Sequence, residues 1–155
     1  MINSKLNGYA TTTLYILEQF AANPNVNTVF FGTADINELN KSDIFPIVHV
    51  SQGVAKVSGQ AIEIEYDIAV LDVRKDPNTF QSSKIIGGNL IFSLNTCLAI
   101  LSKEIKKLEL ARNPHFIRFV NATPNEPIIF SDITLLDGWE TKLTVSIQNE
   151  VDTRG

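Results

Sequence analysis

Glu63, Glu65 and Asp67 form the densest group of like charge in the sequence. As alternate residues of one strand they would share a face at a spacing of about 7 Å. Paired carboxylates perform acid–base chemistry when their environments are unequal and one is desolvated. The plainer reading is the solvated outer face of a half-exposed sheet, where such alternation is routine. The two histidines, His49 in a strand and His115 directly after Pro114, have no second histidine or cysteine at ligand spacing, so no zinc site of familiar type is expected. Cys97, the one cysteine, falls on the apolar seam of a helix and reads as a small buried hydrophobe. Gly87-Gly88 precedes that helix, where free backbone amides can hold a phosphate. No lysine–serine or lysine–threonine pair follows, and the run matches neither the P-loop nor the dinucleotide pattern. Trp139, beside Gly138, is a candidate anchor for a partner or a cap on the core. These residues supply no nucleophile–base pair and no ligand cluster, so neither catalysis nor a cofactor or metal is expected.

The elements that would position them follow from periodicity. Residues 6–22 carry Leu6, Tyr9, Ala10, Thr13, Leu17, Phe20 and Ala21 at helical spacing, and Pro24 ends the run. Residues 26–31 and 45–50 are β-prone, separated by a polar loop over 33–43 that contains Asp35 and Glu38. Ile62, Ile64, Tyr66, Ile68 and Val70 alternate with the three acids and Ala69, which predicts a strand over 60–73. Ser58-Gly59 predicts a hairpin turn joining it to a strand over 50–57, with a bulge or bend at Gly53. Leu90, Leu94, Cys97, Leu98, Leu101, Ile105 and Leu108 form a near-heptad seam. Ser82, Ser83 or Asn89 are candidate caps for that helix, Gly87-Gly88 favouring the later start, and Asn113-Pro114 stops it. A strand over 115–120, a loop over 121–127, a short edge strand over 128–130 and a turn-rich stretch over 132–138 follow. A final alternating strand over 139–148 leads to a polar tail, 149–155.

Composition sets the bounds. The 155 residues fit one domain, with a core over about 6–148 and flexible loops over about 33–43 and 121–138. A 44% hydrophobic and 19% charged composition suits a folded core. No apolar run reaches membrane-spanning length, and the opening residues do not read as a secretion signal. Net charge is −4, which speaks against a dedicated nucleic-acid binder. Alternating strands with one apolar face, together with two amphipathic helices, predict an α+β sandwich: a mostly antiparallel β-sheet with both helices on one face.

Order and local sequence together carry a resemblance. The segments FPIVHV, AIEIEYDIAVLDVRKD, NTCLAILSKEIKKL and LLDGWETKLTVSI, in that succession, resemble a family of tailed-bacteriophage structural proteins of the Bacteroidetes and marine phage type. The arrangement is similar to tail-terminator and head–tail joining (neck-ring) proteins and spans about residues 45–147. The long 32–44 and 121–138 segments depart from the compact family pattern. The resemblance implies a non-enzymatic virion protein of tail-terminator-like fold, assembled in the host cytoplasm as a hexameric or dodecameric homo-oligomeric ring. Its partners would be neighbouring portal, connector and tail proteins, with genomic DNA passing through the lumen and no sequence-specific contact. In such a ring Glu63, Glu65 and Asp67, or Asp35 and Glu38, would line or approach the lumen, and Trp139 would meet a neighbour. Sheet edges near Pro46 and Ile128 would offer backbone groups to adjacent subunits. The competing readings are a ligand-binding or enzymatic α+β domain using His49 or His115 with Asp72, and a cytosolic oligomeric adaptor.

Overall fold

The structure, a computed structural model, describes residues 8–32, 45–73, 80–82, 85–86, 90–110, 117–129 and 136–148. Asp35, Glu38 and His115 therefore lie outside the described residues, as do the Gly87-Gly88 pair and the tail.

Helix α1, Gly8–Ala21, buries Thr12, Thr13, Ile16 and Phe20. Spacing alone had placed Tyr9, Ala10 and Ala21 on the inner face, and the structure exposes all three. The threonines go inward because their hydroxyls are satisfied there. Thr12 Oγ1 donates to Gly8 O at 2.6 Å, and Thr13 Oγ1 shares a 2.8 Å hydrogen bond with the buried Tyr66 hydroxyl. After the helix, Asn23 Oδ1 accepts from Asn25 N at 2.9 Å, a side-chain turn that redirects the chain at Pro24.

The chain then forms β1, Thr28–Phe31; β2, Ile47–Ser58; and β3, Ala61–Val73. A small two-stranded sheet, β4 (Phe80–Ser82) with β5 (Ile85–Ile86), precedes α2, Leu90–Leu110. Its short strands carry no alternation that sequence reading would detect, and Ser82 belongs to β4, which removes it as a cap for α2. The last strands are β6, Arg118–Ala122; β7, Glu126–Ile129; and β8, Leu136–Gln148.

The main sheet runs β1-β2-β3-β8-β6, with β7 also on β8. It is mixed: β1 lies parallel to β2, and every other pairing is antiparallel. The long 32–46 connection permits the parallel pair, because such strands need a crossover and not a tight turn. Asn27 fixes where β1 meets β2: its amide donates to Pro46 O at 3.0 Å and its side chain to Phe45 O. β2 and β3 form the expected hairpin. Gly59 supplies its turn at φ 60°, a left-handed conformation that glycine adopts without penalty. The register shifts between Gln52 and Ala55, so the bulge falls at Gly53 as its position suggested.

β8 begins three residues before Trp139. Leu136, Asp137 and Gly138 pair with Val73, Asp72 and Leu71, where a turn-rich connection was expected. Asp-Gly is a turn signal by propensity. Here the glycine serves a close approach instead: a Cβ on Gly138 would fall 1.7 Å from Val70 O.

Both helices cover one face of the sheet. Ile16 and Phe20 from α1, and Cys97, Ile100, Leu101 and Leu108 from α2, pack on Val48, Val50, Ile64, Tyr66, Ile68, Val70, Leu143, Val145 and Ile147. Burying side chains of this size contributes about 1.5–3 kcal/mol each. The buried arc of α2 is Ser93, Cys97, Ile100, Leu101, Glu104 and Leu108, rotated from the expected seam so that Leu94, Leu98 and Ile105 lie only half-buried. A second cluster, Phe45, Ile47, Leu71 and Leu136, occupies the opposite face at one end of the sheet.

Candidate functional site

Strand alternation places Glu63, Glu65 and Asp67 on the sheet face away from the helices, because Ile64, Tyr66 and Ile68 point into the main core. The acids do not stand as a bare row. Lys56 on β2 lies opposite Glu63, and Lys142 on β8 lies opposite Asp67. Lys142 Nζ stands 3.8 Å from Glu65 Oε1 and 4.0 Å from Asp67 Oδ1. These contacts are half-exposed, so each is worth at most about 1 kcal/mol. A cleft of ≈ 230 Å³ opens beside Asp67, with Glu126, Glu140 and Lys142 among its walls.

Trp139 is half-buried against the core, and its indole Nε1 donates to Leu94 O of α2 at 2.9 Å. Its polar group is thus used inside the subunit, pinning the start of α2 to β8. His49 lies on the outer face of β2. Its Nε2 is 2.6 Å from Gly32 O, to which it donates when that nitrogen carries the proton, and its ring meets Phe30 at 5.6 Å. Asp72 lies on the helix face, since it shares a side with Val70. His49 and Asp72 are therefore separated by the sheet and do not converge. Among the described residues, no group of three or more His, Cys, Asp or Glu is placed to hold a metal.

Cys97 is fully buried, with its Sγ 3.8 Å from Asp137 O. Burial, reinforced by the negative charges of Asp72 and Asp137, pushes its thiol pKa up to about 12. That is the opposite of nucleophile activation. Burial likewise pushes Tyr66 up to about 12, against the lowering effect of its bond to Thr13.

Sequence reading missed Glu104. It is fully buried, accepts from Gln19 Nε2 at 3.4 Å through Oε2, and has Lys107 Nζ 3.3 Å from Oε1 without hydrogen-bond alignment. The available signal was its place at helical spacing between Ile100 and Leu108, with a lysine three residues on.

The flanks of the sheet are the other chemically open feature. β1 covers β2 only from Ile47 to Val50. The Pro46 end, expected to be an open edge, is thus paired, and the open stretch is residues 51–58. Among the described residues no strand lies on that side of it. Val54 and Val57 there are 70% and 66% exposed. On the opposite flank β6 and β7 each pair with β8 alone, so the edge near Ile128 does stand open among the described residues. Between β6 and β7, Thr123 hooks onto β8: its amide donates to Lys142 O at 2.9 Å, and Thr141 Oγ1 donates to its carbonyl at 2.7 Å. Between β6 and the C-terminal half of α2 lies a cleft of ≈ 550 Å³, whose apolar walls are Ile105, Leu110, Phe119, Ala122 and Pro124.

No protein-family model and no curated protein matches the chain. No helix among the described residues is long and apolar enough to cross a membrane.

Proposed function

We propose that this chain is a non-enzymatic structural subunit of a tailed-phage virion. Copies of it would form a ring at the neck or the head-proximal end of the tail, joining head to tail around the DNA channel. The observation that carries the reading is the sheet left open on both flanks among the described residues, with exposed valines on one side and an apolar cleft beside the other. A ring of identical subunits needs two different, complementary surfaces on each copy. The described residues that carry the family resemblance support it: they fall on or directly before β2, β3, α2 and β8, which pack as one unit, while Arg74, Lys75, Asp76 and Leu135 lie outside the described residues. The lumen assignment rests on the face bearing Glu63, Glu65 and Asp67, where excess negative charge lets DNA slide without phosphate contacts.

Mass spectrometry and a neck reconstruction of purified particles test this. The expected result is a stoichiometric ring of this chain, with the acidic sheet face toward the channel. Absence of the chain from particles overturns the reading. The same open flanks would serve a cytosolic oligomeric adaptor, and absence from particles combined with ring formation in solution would favour that alternative.

A further inference from the structure

The two open flanks fit each other. β2 and β8 run one way, and β3 and β6 run the other. A second copy set beside the first in the same orientation therefore brings its β2 against β6 of its neighbour in antiparallel sense, continuing the alternation without a break. The two edges also lie at one height along the sheet. Ala55 pairs with Ile64, Ile64 with Val145, and Val145 with Phe119, so residues 53–58 and β6 flank the same rungs.

We propose that a second copy of this chain docks by strand addition: the open half of β2 in one subunit pairs with β6 of the next. This seam rests on the ring reading and deepens it. Only even shifts of register keep helix-side residues facing helix-side residues. The unshifted pairing opposes Lys56 to Arg118, a like-charge contact that destabilises neighbouring strands. Shifting one way drives Phe119 onto the bulge at Gly53. The other shift opposes Ser58 to Arg118, Val57 to Phe119, Lys56 to Asn121 and Ala55 to Ala122, with Val120 left unmatched as it already is against β8. That register places the exposed Val57 of one copy over the cleft walled by Phe119, Ile105 and Leu110 of its neighbour.

Oxidative cross-linking of K56C/N121C tests the seam, since both positions are exposed and neither belongs to the core. The native Cys97 is buried and stays silent. The double variant is expected to give a ladder of covalent multimers ending at the ring number, and each single variant none. V57D, at an exposed position, is expected to abolish the ladder while leaving the circular dichroism spectrum of the subunit unchanged. A dimer formed by K56C alone overturns the seam in favour of a two-fold β2–β2 contact. No ladder, with wild-type chain sedimenting as a ring, overturns the seam and leaves the ring standing. No ladder, with wild-type chain monomeric at the highest soluble concentration, overturns the seam, and the ring itself stands or falls on the particle reconstruction.

Discussion

The Glu104 carboxylate, wholly removed from solvent, is held 3.3 Å from the ammonium of Lys107, whose side chain remains 51% exposed. The two residues therefore have unequal stakes. Removing Lys107 strands a buried charge, whereas removing Glu104 releases a lysine into water.

Urea unfolding should reflect that asymmetry. K107M is expected to cost about 1–3 kcal/mol, less than a fully buried pair because its ammonium is partly solvated. E104M, which fills the same space without charge, is expected to be neutral or stabilising by about 1 kcal/mol. Equal losses from both variants would contradict the arrangement.

Gly138 has no room for a side chain against the Val70 carbonyl. G138A must separate β3 from β8 at the rung where Leu71 and Gly138 pair, and a loss above about 3 kcal/mol is expected. Thermal melting measures it, with G53A as a comparison at the bulge, where the closest contacts are milder.

Alkaline stability follows from the two raised acids. Burial favours the protonated forms of Cys97 and Tyr66, so the folded state holds protons that the unfolded chain releases. Their contribution is intact below about pH 9 and falls as pH rises from there toward 12. C97A should flatten the decline in unfolding midpoint between pH 9 and 11. A thiol reagent at pH 8 should label Cys97 only when denaturant is added.

The Trp139 indole bond to Leu94 O makes the single tryptophan a reporter of α2 docking on β8. W139F keeps the ring's bulk but loses the donor, at an expected cost of about 1 kcal/mol in chemical unfolding. Wild-type fluorescence should shift to the red in the same transition that removes helical signal.

The chemistry of the acidic face is open to a functional test. D67N and E65Q are expected to change stability by less than about 0.5 kcal/mol, since both acids are partly solvated. In assembled particles E65K should slow DNA release if this face lines the channel; unchanged release would place the face elsewhere.

β3 was legible from sequence because one face is β-branched and the other acidic, a pattern no helix reproduces. The hairpin and the Gly53 bulge followed from local turn chemistry. Faces of helices were harder: α1 turns its threonines inward and α2 buries Glu104, because hydroxyls and carboxylates go inside when a partner satisfies them. Gly8 and Lys107 are partners near in sequence, whereas Tyr66 for Thr13 and Gln19 for Glu104 are far from them along the chain. The start of β8 was hidden by Asp137-Gly138, whose turn propensity is overridden by close strand approach. The acidic row was visible, but its lysines were not, since Lys56 and Lys142 reach it through strand register. Which edges stay open depended on the parallel pairing of β1, a non-local fact that no local pattern encodes.

The flank opposite β2 is broken. β6 and β7 sit on different stretches of β8, and Thr123 fills the interval between them with bonds back to that strand. A visiting strand can therefore find only a few consecutive free backbone groups there before the line is interrupted. Such a short foothold rewards one well-fitted neighbour and gives little to an endlessly stacking fibril, so the break in this flank guards the fold against cross-β stacking.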